Sequence, residues 1–567
     1  MDLCLGREPF SVFGSYLVIN KIEDERWDHT GLADGIYLRT AHGQTDRRAI
    51  SSIKVTYGGE ELACEPVLTP GLLRLVTDHG EVEITFENED IMRLRGRGVG
   101  LHMDFAVGAY DNAQPYPGGY YYINSFCQGI QLMAYPVQSS IRVYSPWGEY
   151  KCLEVTLDTE GDAWEFALER FEAAYEPTTE HLDFEACKAR WQDRFDRFYG
   201  AMPRVLEKYE SAARVAAYVN WASTVKPHGL FQRPAMLMSK NWMTNVWSWD
   251  HAFNAMAMMD SDPDFAWDQL CIPFDAQHPS GLLPDSCNDK AACWGFTKPP
   301  VQGWALLHML ERGDIAIEKL SWFYPRLSKW TEYWFKYMDY DADGICQYSH
   351  GNDSGWDNCS CYEVGAPIEG PELSAYLAIQ MEALSVMAAR LGNLADSDKW
   401  KDASGRLIAR LLEHSYDDGF FTCQSGTHKR PSAGDSLYNY LPVILGGRLP
   451  RPVFEKLAAG LKQQGRFLTP HGLATESLQS PKYDPDGYWR GPIWAPPMMM
   501  IIDGLRHGGE DAFALDLAER FCNTMVQSGF AENFNAEDGR GLRDPSYTWT
   551  SSVFLMLARM VSAGKSK

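Results

Sequence analysis

PTTEHLDFEACKARWQDRFDRFYGAMP, residues 177–203, is where the chain changes its hydrophobic period. Phe184, Cys187, Trp191, Phe195 and Phe198 recur at three- and four-residue steps, which puts them on one face of a helix. Upstream, to about residue 175, the sequence runs in short alternating stretches broken by turns, among them SYLVIN, GIYLRT, SSIKVTYGG and LRLVTDHGEVEITF. That pattern predicts an antiparallel β-sandwich. Downstream, strand signals fade and twelve amphipathic stretches follow, from EKYESAARVAAYVNWAST to YTWTSSVFLMLARMV. The expected organisation is a β-sandwich domain over 1–175, a helical linker over 176–204 and a helical domain over 205–567.

Twelve helices can close as six inner and six outer ones, an (α/α)6 barrel, and no fixed-period motif supports a helical solenoid instead. The fold class is then mainly α, with an antiparallel β-sandwich ahead of the barrel. Chemistry is expected in the long, turn-rich connections at 273–298, 339–370, 471–487 and 530–546.

Charge and composition exclude several functions. With 52 basic against 76 acidic residues, the net charge of -24 repels a phosphate backbone, so nucleic acid is not an expected partner. The first twenty residues lack the basic start and apolar run of a secretory signal, and no apolar run reaches membrane-spanning length. The 13 cysteines are scattered, as expected for free thiols in the cytoplasm. Cys359 and Cys361 stand close enough to share a soft metal, but no second pair completes a four-ligand set. The 19 tryptophans suit sugar binding, because sugars present apolar C–H faces beside hydroxyls; core packing accounts for any single one equally well.

Four short segments carry the chemistry. In SHGNDSGWDNCS, 349–360, Asp357 lies between Trp356 and Asn358 in a loop of small polar residues. An aromatic neighbour favours the neutral carboxyl that a general acid needs, while an Asx-turn aspartate fits the same loop. In FAENF, 530–534, Glu532 sits between two phenylalanines, placed either to activate water or as an exposed helix-end glutamate. NWMTNVWSWDHAF, 241–253, offers Trp249 as a stacking floor and Asp250 as an acceptor for vicinal hydroxyls, or as a helix cap. GYWRGPIWAPP, 487–497, supplies Tyr488, Trp489, Arg490 and Trp494, with Arg490 suited to a substrate carboxylate or to an internal acid.

Together these segments resemble the glycoside hydrolases of family 63 and the related family 37 trehalases. The shared features, in order, are the Trp249–Asp250 pair, SGWDN at 354–358, YWRGPIW at 488–494, and Glu532 followed by a GRG turn and the TWT helix start at 548–550. The resemblance covers the helical half of the chain. It implies an inverting, exo-acting hydrolase of an α-linked glucosyl unit, with Asp357 as proton donor and Glu532 as base. It also implies a pocket containing Trp249, Asp250, Gln302, Gly355, Trp356, Asn358, Tyr488, Trp489, Arg490 and Trp494. Two departures from the family pattern bear on substrate: Asp353 stands where Glu is common and Cys359 where Ser is usual.

Candidate substrates are small carbohydrates: α-glucosides, trehalose-like disaccharides, and glucosyl- or mannosylglycerate, with Lys298 and Arg490 suited to an acidic aglycone. No organic cofactor is required. Asp339, Asp341 and Asp343 alternate before Gly344 like the start of a calcium loop, but His350 stands where an EF-hand would place Glu. An epimerase on the same barrel, working through histidines, and a non-catalytic sugar-binding protein are the alternatives.

Overall fold

Phe184–Gly200 forms the first helix, α1, capped by Asp183, whose carboxylate accepts from the backbone N–H of Glu185 and Ala186. The computed structural model describes residues 2–44, 49–108, 110–148, 151–152, 154–178, 180–417, 419–426 and 428–565. Contacts divide the chain into two units, one comprising Met1–Ala201, Ala217–His228 and Ser239–Asn245, the other Met202–Ala216, Gly229–Met238 and Val246–Lys567. The linker expected at 176–204 falls mostly in the first unit. There Trp191 Nε1–H donates to Phe86 O at 2.6 Å and Lys188 pairs with Glu83 at 3.0 Å, seating α1 on a sheet.

The first unit is built on two antiparallel sheets. One runs in the order Leu17–Ile22, Gly35–Thr40, Ser51–Tyr57, Gly100–Asp104, Thr156–Thr159, Arg142–Tyr144. In the other, Ala163–Phe171 lies between Ile130–Gln138 and Ile91–Arg97, with Glu81–Phe86 beyond. In Ser51–Tyr57 the alternate residues Ser51, Ile53 and Val55 are buried, the period-two pattern of a strand with one covered face, whereas Ile91–Leu94 and Trp164–Leu168 are buried residue after residue, as strands covered on both faces are.

Among the described residues eleven further α-helices follow: α2 (Glu207–Ser223), α3 (Asp250–Met258), α4 (Pro263–Asp275), α5 (Gln302–Arg312), α6 (Ile317–Tyr337), α7 (Pro371–Arg390), α8 (Leu394–Ser415), α9 (Arg451–Leu461), α10 (Ala495–His507), α11 (Asp511–Ser528) and α12 (Thr548–Lys565). The remaining expected helix, SLYNYLPVIL, is instead a 3-10 segment, Leu437–Arg448. Pro442 removes a helical N–H within it, and Gly446 leaves helical geometry at φ 54°. Within the second unit six elements close a ring: α3 packs on α5, α5 on α7, α7 on the 3-10 segment, that segment on α10, α10 on α12, and α12 on α3. Behind them, α4 backs α3, α6 and α8 back α7, α9 backs the 3-10 segment, and α11 backs α10 and α12.

Sequence sorts inner from outer. Every residue of α10 from Ala495 to Leu505 is buried, as a helix surrounded on all sides requires. On α8 the buried residues Trp400, Ser404, Leu407, Leu411 and Ser415 form a single stripe. The long connections all lead from an outer element into an inner one, so the N-termini of the inner helices share one end of the ring with those loops. Short strand pairs tie the loops together: Val246–Trp247 with Ser286–Cys287, and Ile493–Trp494 with Asn533–Phe534. No helix among the described residues is long and apolar enough to cross a membrane.

Candidate active site

Asp357 reaches the site on a loop fixed by its neighbours. The turn-forming aspartate of that loop is Asp353, whose carboxylate accepts from the backbone N–H groups of Thr297, Ser349 and His350, each at 3.0 Å. Asp357 itself is half-buried, and burial raises its carboxyl pKa, opposed by Lys298 and reinforced by Asp285. Lys298 is buried; it binds Asp285 at 2.7 Å and the Asn352 carbonyl at 2.7 Å, tying the 285–298 connection to the acid's loop.

Glu532 is buried on the segment after α11, not exposed at a helix end. Burial, reinforced by Asp544, raises its carboxyl to about 8, while the Tyr488 hydroxyl, donating to Oε1 at 3.1 Å, opposes the rise. Asn358, next to Asp357, accepts from Trp489 N–H at 2.9 Å and donates to Gly487 O at 3.0 Å. The two carboxyl-bearing loops therefore meet at Tyr488–Trp489, and Tyr488 feels the charge of both acids. Tyr488 holds a left-handed backbone at φ 63°, the strain expected where a side chain is forced to a functional position.

Asp250 is the first residue of α3; its Oδ1 accepts from Tyr547 O–H at 3.3 Å, and its buried Oδ2 has no protein partner. Burial raises this carboxyl to about 8. A buried acceptor without a partner, beside Tyr488, suits a sugar hydroxyl. Trp249 lies edge-on to Trp549 and tilted against Trp489, the latter stacked on Trp494 at 3.9 Å.

Several expected contact residues have internal partners. Gln302 is fully buried, its amide bound to Ser248 O and its Oε1 to Trp330 Nε1–H. Trp356 is buried between Trp489 and Tyr438, and Tyr438 in turn donates to Glu372 at 2.5 Å. Trp494 donates to Tyr488 O at 2.9 Å. Arg490 takes the internal partner, Glu363 at 2.8 Å, together with Asn358 O at 2.6 Å. Sequence reading missed Asp285, Tyr547 and Glu372. Only the position of Asp285 in a long connection and of the other two next to inner-helix starts could have marked them.

Gly355 has φ +72°, and a Cβ there would lie 2.5 Å from the Trp249 ring. Gly355→Ala is expected to cost about 1–2 kcal/mol in backbone strain alone. By displacing either Trp249 or the loop of Asp357, it should also lower kcat/KM on the order of 10²-fold. Steady-state kinetics on a folded variant check this; wild-type efficiency would show that the close approach is dispensable.

The two metal readings fare differently: ligand oxygens of Asp339, Asp341 and Asp343 lie within 4.8 Å of one another, close enough to share an ion, whereas the cysteines join no such group among the described residues. Lys429 reaches Asp341 at 2.8 Å, Asp343 at 3.2 Å and also Glu369, supplying a cation to the Asp339–Asp343 loop from within the chain. Asp339 accepts from the N–H of Asp343 and Gly344, closing the turn. Cys359 bonds Ser436 at 3.3 Å and Cys361 bonds Asn439 at 3.7 Å; among the described residues neither joins a metal-ligating group. His251, the histidine nearest this chemistry in sequence, is buried, which pushes it down to about 4, and its Nδ1–H donates to Trp247 O. The other histidine near these acids, His350, is exposed on the Asp357 loop, where its Nδ1 accepts from Asn352 N–H at 3.0 Å.

An (α/α)6 ring with carboxyl-bearing loops gathered at the N-termini of its inner helices is the architecture of the glycoside hydrolases that share this barrel. A bacterial glucoamylase complexed with acarbose superposes over 98% of this chain and 94% of its own, with a TM-score of 0.68 at 10% identity. Residues 243–550 match the family of the mannosylglycerate hydrolase MGH1-like glycoside hydrolase domain, and the chain belongs to that family, within glycoside hydrolase family 63. A mannosylglycerate hydrolase of Thermus thermophilus is 23% identical over 420 residues, covering 60% of this chain and 97% of the relative. That of Rubrobacter radiotolerans is 22% identical, covering 58% and 97%. The structure of a family 63 mannosylglycerate hydrolase from another strain of Thermus thermophilus, in complex with Tris and D-glycerate, aligns with a TM-score of 0.54 at 20% identity, covering 61% and 99%.

Proposed function

We propose that the protein is an inverting, exo-acting glycoside hydrolase that releases one α-linked unit, glucosyl in the first place, from a small glycoside or oligosaccharide. The carrying observation is the meeting of the Asp357 and Glu532 loops at Tyr488, through Asn358 on one side and the Tyr488–Glu532 hydrogen bond on the other. Asp357 gives its proton to the glycosidic oxygen as the C1–O bond breaks. Water held by Glu532 attacks C1 from the opposite face and passes a proton to that carboxylate. Trp249 supports the apolar face of the sugar and the open Oδ2 of Asp250 takes a hydroxyl. The free cysteines suit a reducing, cytoplasmic setting. The names of the relatives add mannosyl and glycerate conjugates to the substrates worth testing.

A hydrolysis screen over α-gluco-, α-manno- and α-galactosides, glycerate conjugates included, tests the activity, and NMR of the first-formed anomer tests the stereochemistry. An α-glycoside should yield the β-anomer first. An α-anomer would end the inverting assignment.

The proposal also fixes a pH response. The productive form has Asp357 protonated and Glu532 ionised, yet burial places the Glu532 carboxyl near 8 in the free protein. Activity then peaks between the two macroscopic pKa values, and the productive fraction falls about tenfold for each unit by which the base exceeds the acid. Tyr488→Phe removes the hydroxyl that holds the Glu532 carboxyl down. It should therefore move the alkaline limb of kcat/KM upward and lower the maximum by about tenfold per unit moved. An unchanged alkaline limb would separate Tyr488 from the base.

A further inference from the structure

Two large apolar rings stand exposed on the connection that meets the acid's loop. Trp294 is 42% and Phe296 39% solvent-exposed, although most tryptophans of this unit are buried. Both follow the short strand Ala292–Cys293, which pairs with Ser286–Cys287 and through it with Val246–Trp247, just ahead of the Trp249–Asp250 pair. The connection is anchored directly after them. Thr297 N–H donates to Asp353 at 3.0 Å, Lys298 holds Asn352, and the Phe296 ring lies 5.1 Å from that of His350. Trp294 rests edge-on against His278 at 5.7 Å. Phe296 thus stands beside the loop that carries Asp357, with Trp294 two residues before it on the same connection; a general acid faces the leaving group, so this is the side on which an aglycone emerges.

The cations of the site point the same way. Lys298 is bound to Asp285, Arg490 to Glu363 at 2.8 Å and Arg543 to Asp486 at 2.8 Å, so an aglycone carboxylate would have to displace an internal acid at each. The net charge of -24 further disfavours an anionic substrate.

We infer that Trp294 and Phe296 form an aromatic platform for an uncharged pyranose ring in the aglycone, and that the preferred substrate is a neutral disaccharide or longer glucoside, not a glycerate conjugate. The inference rests on the hydrolase reading and on Asp357 as its acid. Flat rings match the C–H face of a pyranose; glycerate, which has no ring, gains little from them.

The test compares three substrates with the same donor sugar: a neutral α-linked disaccharide such as maltose, glucosylglycerate, and α-glucosyl fluoride, whose leaving group has no ring. The wild-type protein should show the higher kcat/KM on the disaccharide than on the glycerate conjugate. Trp294→Ala and Phe296→Ala should each raise KM for the disaccharide about five- to tenfold, a loss at least fivefold greater than on the fluoride. Equal losses on disaccharide and fluoride, no loss at all, or a wild-type preference for glucosylglycerate would overturn the platform. If the wild-type protein hydrolysed none of the three or their mannosyl counterparts, the hydrolase reading would fall and this inference with it. Both side chains are exposed, so thermal melting should show the variants folded.

Discussion

Asp357→Asn is expected to reduce kcat on a natural α-glycoside by about 10³-fold, within the range usual for loss of a general acid. The substitution keeps size and shape but removes the donor, and the loop around it is held independently by Asp353 and by Asn358. The geometry should therefore survive. The loss should shrink as the leaving group improves, because a fluoride or nitrophenolate departs with little help from a proton. Rates on α-glucosyl fluoride close to those of the wild-type protein, beside a disabled reaction on a disaccharide, are the expected signature. Near-normal turnover of the disaccharide would remove Asp357 from its role.

Asp357 also shows what can be read from a sequence. Its loop is ambiguous between acid and turn, because both roles call for a carboxylate among small polar residues. In the structure the backbone N–H groups of Ser349 and His350 go to Asp353. Helical period similarly locates eleven of the twelve expected helices. It fails at SLYNYLPVIL because apolar spacing does not register what Pro442 and Gly446 do to the backbone.

Contacts between distant residues are illegible for a physical reason. Arg490 and Glu363 are separated by more than a hundred residues, as are Asp250 and Tyr547, and nothing local in either segment encodes the partner. The same holds for Lys429, which gives the calcium-like loop its counter-charge from another connection. The family resemblance implies a pocket role for Gln302, Trp356 and Trp494, and sequence gives no sign of the internal partners each one has in the structure. Trp356 in particular is supported by Tyr438, whose partner Glu372 is raised by burial to about 8 and so stays neutral near pH 7. What converges at the site is a set of inner-helix N-termini, whose backbone N–H groups oppose, without cancelling, the burial that raises Asp250 and Glu372.

Glu532→Gln should be at least as damaging as Asp357→Asn, by about 10³-fold or more, but with a different dependence on substrate. Water must be activated whatever the leaving group is, so the loss on α-glucosyl fluoride should match the loss on a disaccharide. KM should move little, since the glutamine oxygen can still accept from Tyr488 and the site keeps its shape. Stability supplies an independent readout. The folded-state carboxyl lies near 8, above its ordinary value of 4.5, so the folded protein binds this proton more tightly than the unfolded chain does. The wild-type protein therefore loses stability from this group as pH rises from about 4.5 towards 8, whereas the glutamine variant does not. Melting temperatures should coincide near pH 5 and favour Glu532→Gln near pH 8. Equal melting temperatures at both pH values would mean that Glu532 is already solvated and ionised, and the pH profile expected for Tyr488→Phe would fail with it.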